Sequence, residues 1–325
     1  MKKKKMIRKH ESYGGFQPLE LKLETDYYAS ISKHVLKYNS AKAALNALLC
    51  NRSFSRLYIP YYLCPNVCNE LESHSIQITY YHIDNNLLPI LDDLDDGSWV
   101  YIVDYFGVMD ERVDNYMNSH STYNFILDNC HSFFHNPNQS VCIYSCKKFF
   151  GVPDGAYLIT DDLIEEQPEL TSASYYSDYL LKCLEEGTNS CYERKKEVDA
   201  LLGKNYAGMS RLADLLMHSI DYDYVKKRRI SNADEYEKAF NNINKIKVDI
   251  GSIPYMYPLN IGKNIKLHLI ENKIFVPTLW KHCLDESFYD TIEYDLTENT
   301  IFLPVDQRYD KEDILYIISI IKQYI

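Results

Sequence analysis

Mostly apolar runs rich in Ile, Val, Tyr and Phe recur along the first half of the chain, at 56–59, 76–83, 99–104, 123–127, 141–144 and 156–160. Short continuous runs of β-formers, bounded by polar or glycine-bearing stretches, mark strands buried on both faces, as in a parallel sheet covered by helices. Elsewhere the spacing is helical. Asn39 or Ser40 is placed to cap a helix that carries Ala and Leu through residue 49. Residues 174–202 and 209–240 interleave Lys, Glu and Arg with Leu, Tyr and Ile as two long helices, joined through Asn205-Tyr206-Ala207-Gly208. From about residue 246 the pattern changes to short β-like runs at 248–253, 265–269 and 300–303, then a closing helix over 311–325 capped by Asp310. This order predicts an α/β architecture, a mostly parallel sheet flanked by helices with a smaller α+β unit after it. The expected division is a tail and arm over 1–24, a large domain over 25–245 and a small domain over 246–325.

The polar residues that end these runs carry the chemistry. In open α/β sheets ligands gather just beyond the C-terminal ends of the strands. Asp128-Asn129-Cys130-His131 follows one run, and Ser145-Cys146-Lys147-Lys148 follows the next. A turn built on Gly151, Pro153, Asp154 and Gly155 then leads into a third. One strand end thus delivers a carboxylate with a histidine, and its neighbour a lysine. Pyridoxal 5'-phosphate (PLP) needs a lysine for its Schiff base and an acid on its pyridinium nitrogen before it can act as an electron sink. Taken singly, such an Asp is a turn residue and such a Lys a solvated one. Their occurrence in order, after a helix start suited to a phosphate, is what points to this chemistry.

The stretch 123–160 resembles the core of the DegT/DnrJ/EryC1/StrS family, fold-type-I PLP enzymes that mostly transaminate nucleotide-linked keto-sugars. Leu127-Asp128-Asn129-Cys130-His131 stands where that family has E-D-x-A-H/Q. Lys148 reaches Asp154-Gly155-Ala156 at the spacing of its S-F-x-x-x-K lysine and following glycine turn, whereas Lys147 is one residue off. The resemblance implies an aspartate-aminotransferase-like fold, with Lys148 as the Schiff-base lysine and proton-transfer base. It also implies Asp128 as the pyridine partner and His131 on the cofactor's phenolic oxygen. Ser145 is a candidate phosphate ligand. Ser40, Ala41 and Lys42 occupy the family's S-G-T phosphate-binding helix start, with a cation in place of the Thr hydroxyl.

Other matches depart further from the family. In its P-x-x-T-F/W motif, whose aromatic stacks on the ring, Cys64 falls by strict count on the stacking position and Tyr62 is the nearest ring. The opening Tyr13-Gly14-Gly15-Phe16 is similar to the family's site-mouth segment, and equally fits a packing arm. Asn205 stands near G-x-N-x-R-M-S, whose Asn reaches the neighbouring subunit's phosphate; here the Arg is missing, and a plain interhelical turn fits the same residues. The segment from Pro304 to Tyr309 resembles a substrate-side loop, in which Arg308 and Tyr309 would meet substrate; a surface ion pair is the alternative for Arg308.

Composition narrows the partners. The 325 residues carry a formal net charge of −11, with 46% hydrophobic and 25% charged residues. That balance is ordinary for a globular protein, and its acidity argues against nonspecific nucleic-acid binding. No run of about 18 apolar residues is present to span a membrane, and the basic opening MKKKKMIRK lacks the apolar segment of a secretory signal. The nine cysteines include Cys64 and Cys68 at a loosely zinc-like spacing but no second ligand pair, so free thiols in a reducing cytoplasm and no metal are expected. No G-x-G-x-x-G follows a strand, which sets aside a dinucleotide-binding dehydrogenase.

The expectation is a cytoplasmic, homodimeric PLP-dependent aminotransferase acting on a keto-sugar, nucleotide-linked, with a glutamate-like donor, in surface polysaccharide or amino-sugar biosynthesis. A lyase or dehydratase on the same scaffold is one alternative. Lys148 argues against it, because the family's sugar dehydratases carry histidine there. The other is a PLP-fold protein that binds without turnover, which the altered phosphate motif keeps open.

Overall fold

The computed structural model describes residues 16–17, 19–31, 33–137, 141–164 and 168–325. The expectation for Tyr13, Gly14 and Gly15 lies outside these residues. Eight strands form one sheet: β1 (His34–Tyr38), β2 (Arg56–Pro60), β3 (Gln77–Ile83), β4 (Pro89–Ile90), β5 (Trp99–Val103), β6 (Asn124–Asn129), β7 (Val141–Ser145) and β8 (Ala156–Thr160). Their spatial order is β1-β8-β7-β6-β5-β2-β3-β4. The five central strands β7, β6, β5, β2 and β3 run parallel, whereas β8 is antiparallel to β7 and to β1, and β4 antiparallel to β3. The continuous apolar runs are explained by this burial: every residue of Val100–Val103 and of Phe125–Asn129 is buried.

Helices α1 (Ala41–Asn51), α2 (Pro65–Glu72) and α3 (Asp110–Ser119) connect these strands. Ser40 caps α1 by accepting the Ala43 N–H at 3.1 Å. Beyond β8 the two long helices expected over 174–202 and 209–240 are each broken. The first becomes α4 (Asp178–Glu186) and α5 (Tyr192–Leu202), because Gly187 at φ +86° leaves the helical region. The second becomes α6 (Arg211–His218) and α7 (Tyr222–Phe240), restarted where the Asp221 side chain accepts the Tyr224 N–H at 2.9 Å. Residues 183 and 191 are not free thiols but form a disulfide across the α4–α5 turn, while the other seven cysteines are free.

The last part also corrects two strand expectations. Residues 248–253 form no strand, and the run at 265–269 lies in helix α8 (Lys266–Glu271). The two-stranded sheet pairs β9 (Tyr257–Asn260) with β10 (Thr300–Leu303), which follows α9 (Ile292–Asn299). Helix α10 (Lys311–Ile321) closes the chain with the expected Asp310 cap, reinforced by Asp313 in a capping box. One apolar core surrounds the large sheet; a second joins β9, β10 and α10 to Ala233, Tyr236 and Phe240 of α7.

Candidate functional site

Asp128 lies within β6 rather than beyond it, 5% exposed. Its Oδ2 accepts from the Tyr101 hydroxyl of β5 at 2.8 Å, and its Oδ1 from the Cys130 N–H at 2.9 Å. Burial, with the charge of Asp128 adding to it, pushes the Tyr101 hydroxyl well above its usual range, so Tyr101 is a donor here.

The next strand, β7, ends in a single 3₁₀ turn, Cys146–Lys148, which splits the two lysines. Lys147 pairs with Asp199 of α5 at 2.5 Å. The half-buried Lys148 has no hydrogen bond or ion pair among the described residues, and its amine stands 5.8 Å from the centre of the Tyr255 ring. Burial draws the Lys148 amine down, but the Cys130 thiol and the Asp128 carboxylate outweigh it and the net shift is upward. Lys148 and Asp128 thus act on one another electrostatically from adjacent strand ends. The turn is tied down by Gly155, whose carbonyl accepts the Cys146 N–H at 3.0 Å and whose N–H donates to Asn39 at 2.9 Å. At φ +125°, with a Cβ position 3.2 Å from that of Cys146, only glycine suits this residue.

His131 is 4% exposed, and burial together with the Lys148 charge holds it well below the usual histidine range. It is therefore a neutral imidazole. Its Nδ1 faces the Phe106 N–H at 3.4 Å, which places the proton on Nε2. Its ring lies nearly parallel to Tyr255 at 5.1 Å, Phe106 at 5.9 Å and Trp280 at 5.8 Å.

The start of α1 is joined to the same turn through Asn39, which is 0% exposed and donates to the Asn205 carbonyl at 2.7 Å and the Thr171 hydroxyl at 3.0 Å. The Ser40 hydroxyl is engaged in capping and the Ala44 N–H is bonded to the Ser40 carbonyl, so Ala41 and Lys42 present the free N–H groups of the first turn. The Lys42 ammonium pairs with Glu70 at 3.2 Å and donates to the Gly203 carbonyl at 3.3 Å. Ser145 ends β7 opposite Ala156. The Asn205 residue is exposed, and it bonds through its backbone, the carbonyl accepting from Asn39 and the N–H donating to the Leu202 carbonyl at 3.2 Å.

Tyr62 does not offer a free ring face. It is 0% exposed and packed edge-on against Trp280 at 4.3 Å. Half-buried Cys64, the residue counted onto the stacking position, makes a minor electrostatic contribution at Cys130 and Lys148. The Arg308 guanidinium grips Asp306 through two bonds of 2.7 and 2.9 Å and covers the half-buried Tyr309 ring, as in the ion-pair alternative.

Sequence reasoning missed Tyr101, Tyr255, Trp280 and Arg229. Buried Arg229 of α7 donates to the Pro254 carbonyl at 2.9 Å and the Phe149 carbonyl at 3.2 Å, fastening the Tyr255 segment beside the lysine turn. Trp280 sits at φ +49°, a conformation rare for a bulky residue. Only Tyr101 left a trace, as the tyrosine among the aliphatic Val100, Ile102 and Val103.

No family model and no curated protein matches this chain. Solved structures do. A DegT DnrJ EryC1 StrS aminotransferase from Brucella abortus is 15% identical, with TM-score 0.60 over 90% of this chain and 86% of that one. DesV of S. venezuelae is 15% identical, with TM-score 0.61 over 93% and 85%. Helicobacter pylori PseC, an aminotransferase of pseudoaminic acid biosynthesis, is 16% identical, with TM-score 0.59 over 90% and 86%. The sheet order, the strand-end turn and these superpositions agree: the chain has the fold of the DegT/DnrJ/EryC1/StrS-type sugar aminotransferases.

Proposed function

We propose that the protein is a PLP-dependent aminotransferase that transfers an amino group from an amino acid to a keto-sugar, nucleotide-linked as in the enzymes it resembles. The observation that carries this reading is the pairing of Lys148, an amine without an ion-pair partner among the described residues, with Asp128, a carboxylate fixed through both oxygens on the adjacent strand.

The donor set fits PLP. Lys148 would hold its aldehyde carbon, Asp128 its pyridine nitrogen and the Nε2–H of His131 its phenolic oxygen. The backbone N–H groups of Ala41 and Lys42, with Ser145 nearby in sequence to the lysine turn, would meet its phosphate. When bound, the cofactor supplies an electron sink that makes the donor's α-proton acidic. The remaining tasks fall to the chain. Asp128 keeps a proton on the pyridine nitrogen. The Nζ of Lys148 would be the base that accepts the donor's α-proton, and a positive charge on the ring beside Asp128 would offset the carboxylate that now raises the Lys148 amine. Tyr255 and Trp280 wall the site against water.

Homodimerisation, a cytoplasmic setting and a role in amino-sugar or surface polysaccharide synthesis belong to the same reading. Its test is reconstitution with PLP followed by borohydride reduction and peptide mapping. The label is expected on Lys148, and glutamate with a keto-sugar nucleotide should then discharge the chromophore. A label elsewhere would overturn the reading. A chromophore on Lys148 that responds to no amino donor would favour binding without turnover, for which the engagement of Lys42 by Glu70 is the supporting observation.

A further inference from the structure

Behind the His131 turn lies a group of acids, Asp104 fully buried and Asp110 and Asp114 partly exposed, that the proposed reaction does not use. Asp104, at the end of β5, is 0% exposed, and its Oδ2 lies 2.8 Å from Nδ1 of His135. The other ring nitrogen, Nε2, meets Oδ1 of Asp114 on α3 at 3.2 Å. Burial works against a charge on His135, but the hydrogen bonds to Asp104 and Asp114 outweigh it and lift the ring's pKa to about 10. His135 is an imidazolium donating from both sides.

Asp110, in the first turn of α3, accepts the Ser132 hydroxyl on Oδ1 at 2.9 Å. One carboxylate oxygen each of Asp104 and Asp110 and one ring nitrogen of His135 lie within 4.8 Å of one another. Asp104 Oδ1 is buried and has no donor among the described residues. Two carboxylates at this range, one of them fully buried, disfavour each other's ionisation, and a buried acceptor without a donor is unfavourable. One proton on Asp110 relieves both, removing a charge and supplying the missing donor.

We propose that Asp110 is protonated in the folded protein and donates to Asp104, so that Ser132, Asp110, Asp104, His135 and Asp114 form one hydrogen-bonded chain that positions the His131 turn. Burial and the facing Asp104 hold the Asp110 carboxyl well above its usual range, against the opposing pull of His135 and Ser132. The start of α3 would favour an anion, but that effect is small beside a second buried carboxylate. Arg112, the nearby cation on the same helix, is committed to Asp249 at 2.9 Å. A divalent cation is the competing occupant. It would require a neutral ring nitrogen, and both nitrogens of His135 already face carboxylates.

The chain ties together the two loops that aim His131. Asp104 opens the loop whose Phe106 N–H meets His131 Nδ1, and Ser132 is the residue next to His131. What His131 then does rests on the proposed function; the proton on Asp110 does not.

The test is infrared difference spectroscopy on the full chain near neutral pH, wild type minus Asp110→Asn. A protonated-carboxyl band lost in Asp110→Asn and retained in the exposed control Glu111→Gln is expected. Asp154, whose carboxyl burial also lifts, cancels in the difference. Asn can donate to Asp104 and accept from Ser132, so Asp110→Asn should melt close to wild type, whereas Asp110→Ala should melt lower. PLP affinity, read by absorbance titration, should fall about tenfold in Asp110→Ala and recover in Asp110→Asn. Absence of the band, stoichiometric divalent metal in the purified protein that is lost with Asp110, or equal effects of Ala and Asn would each overturn the proposal. Failure of wild type to bind PLP would overturn the proposed function, and the infrared band would still decide the protonation.

Discussion

Tyr101 holds Asp128 from the neighbouring strand, donating its hydroxyl to Oδ2 over 2.8 Å while the Cys130 N–H holds Oδ1. The parallel register pairs Val103 with Asp128, so residues 101 and 128 project from the same face of the sheet. Asp128 is therefore oriented before any ligand arrives. Tyr101→Phe removes one donor to a charged acceptor, worth about 1.5–3 kcal/mol. PLP affinity is expected to fall by roughly tenfold or more, measured by absorbance titration. Unchanged affinity would show that Asp128 does not hold the ring.

The two adjacent lysines should separate cleanly. Lys148→Ala should abolish the PLP chromophore. Lys147→Ala should keep it and shift stability by about 1 kcal/mol, because Asp199, its partner, is 41% exposed and is left in reach of water. Spectra and chemical denaturation of both variants test this. A chromophore lost in Lys147→Ala and kept in Lys148→Ala would reverse the assignment.

That Asp128, His131 and Lys148 come near one another was legible because they lie at or just past the ends of the adjacent strands β6 and β7, where chain order and spatial order coincide. Asp154 and Gly155 were legible because a turn announces itself locally. Tyr255, Trp280 and Arg229 reach the site from elements far along the chain, and no local pattern marks such convergence. The run at 265–269 shows a second limit, since a short apolar run fits a strand and a buried helix equally well. It became α8, leaving β9 to pair with β10. Gly187 was visible in the sequence, but the positive φ that breaks the helix there was not.

Raising the pH should weaken the fold through His135. The unfolded chain releases this proton near ~6.5, whereas the folded protein keeps it to about 10. Between those values the folded state binds more protons, so stability falls as pH rises. The contribution is complete below ~6.5 and gone above the folded value, on the order of a few kcal/mol. Asp110, also raised, acts in the same sense, its contribution complete below ~3.9 and lost as pH passes its raised folded value. Denaturation at about pH 7 and about pH 10 should show this decline in wild type and a flatter profile in His135→Gln. Equal slopes would remove His135 from the account.

Gly107→Ala should disturb the His131 turn directly. Gly107 has φ +69°, and a Cβ there would stand 2.4 Å from the His131 carbonyl oxygen. Backbone cannot yield as a side chain end can, so both strain and a shifted loop follow. A loss of roughly 1–3 kcal/mol in denaturation is expected, together with weaker PLP binding. Gly97→Ala is the comparison: it has φ +81° but its nearest neighbour would be the Asn124 amide at 3.9 Å. It should lose stability without losing affinity.

The Cys183–Cys191 disulfide closes a separation of only 8 residues, across a hairpin with its own small core of Tyr179, Cys191, Val198 and Leu202. Chain-entropy reasoning gives such a short loop about 2–3 kcal/mol. Because that core is separate from the one around the sheet, the effect should be local. Reduction, or Cys183→Ser, should speed amide exchange through α4 and α5 while β5, β6 and β7 stay protected. Exchange that rises equally in those strands would mean that the hairpin and the sheet unfold as one unit.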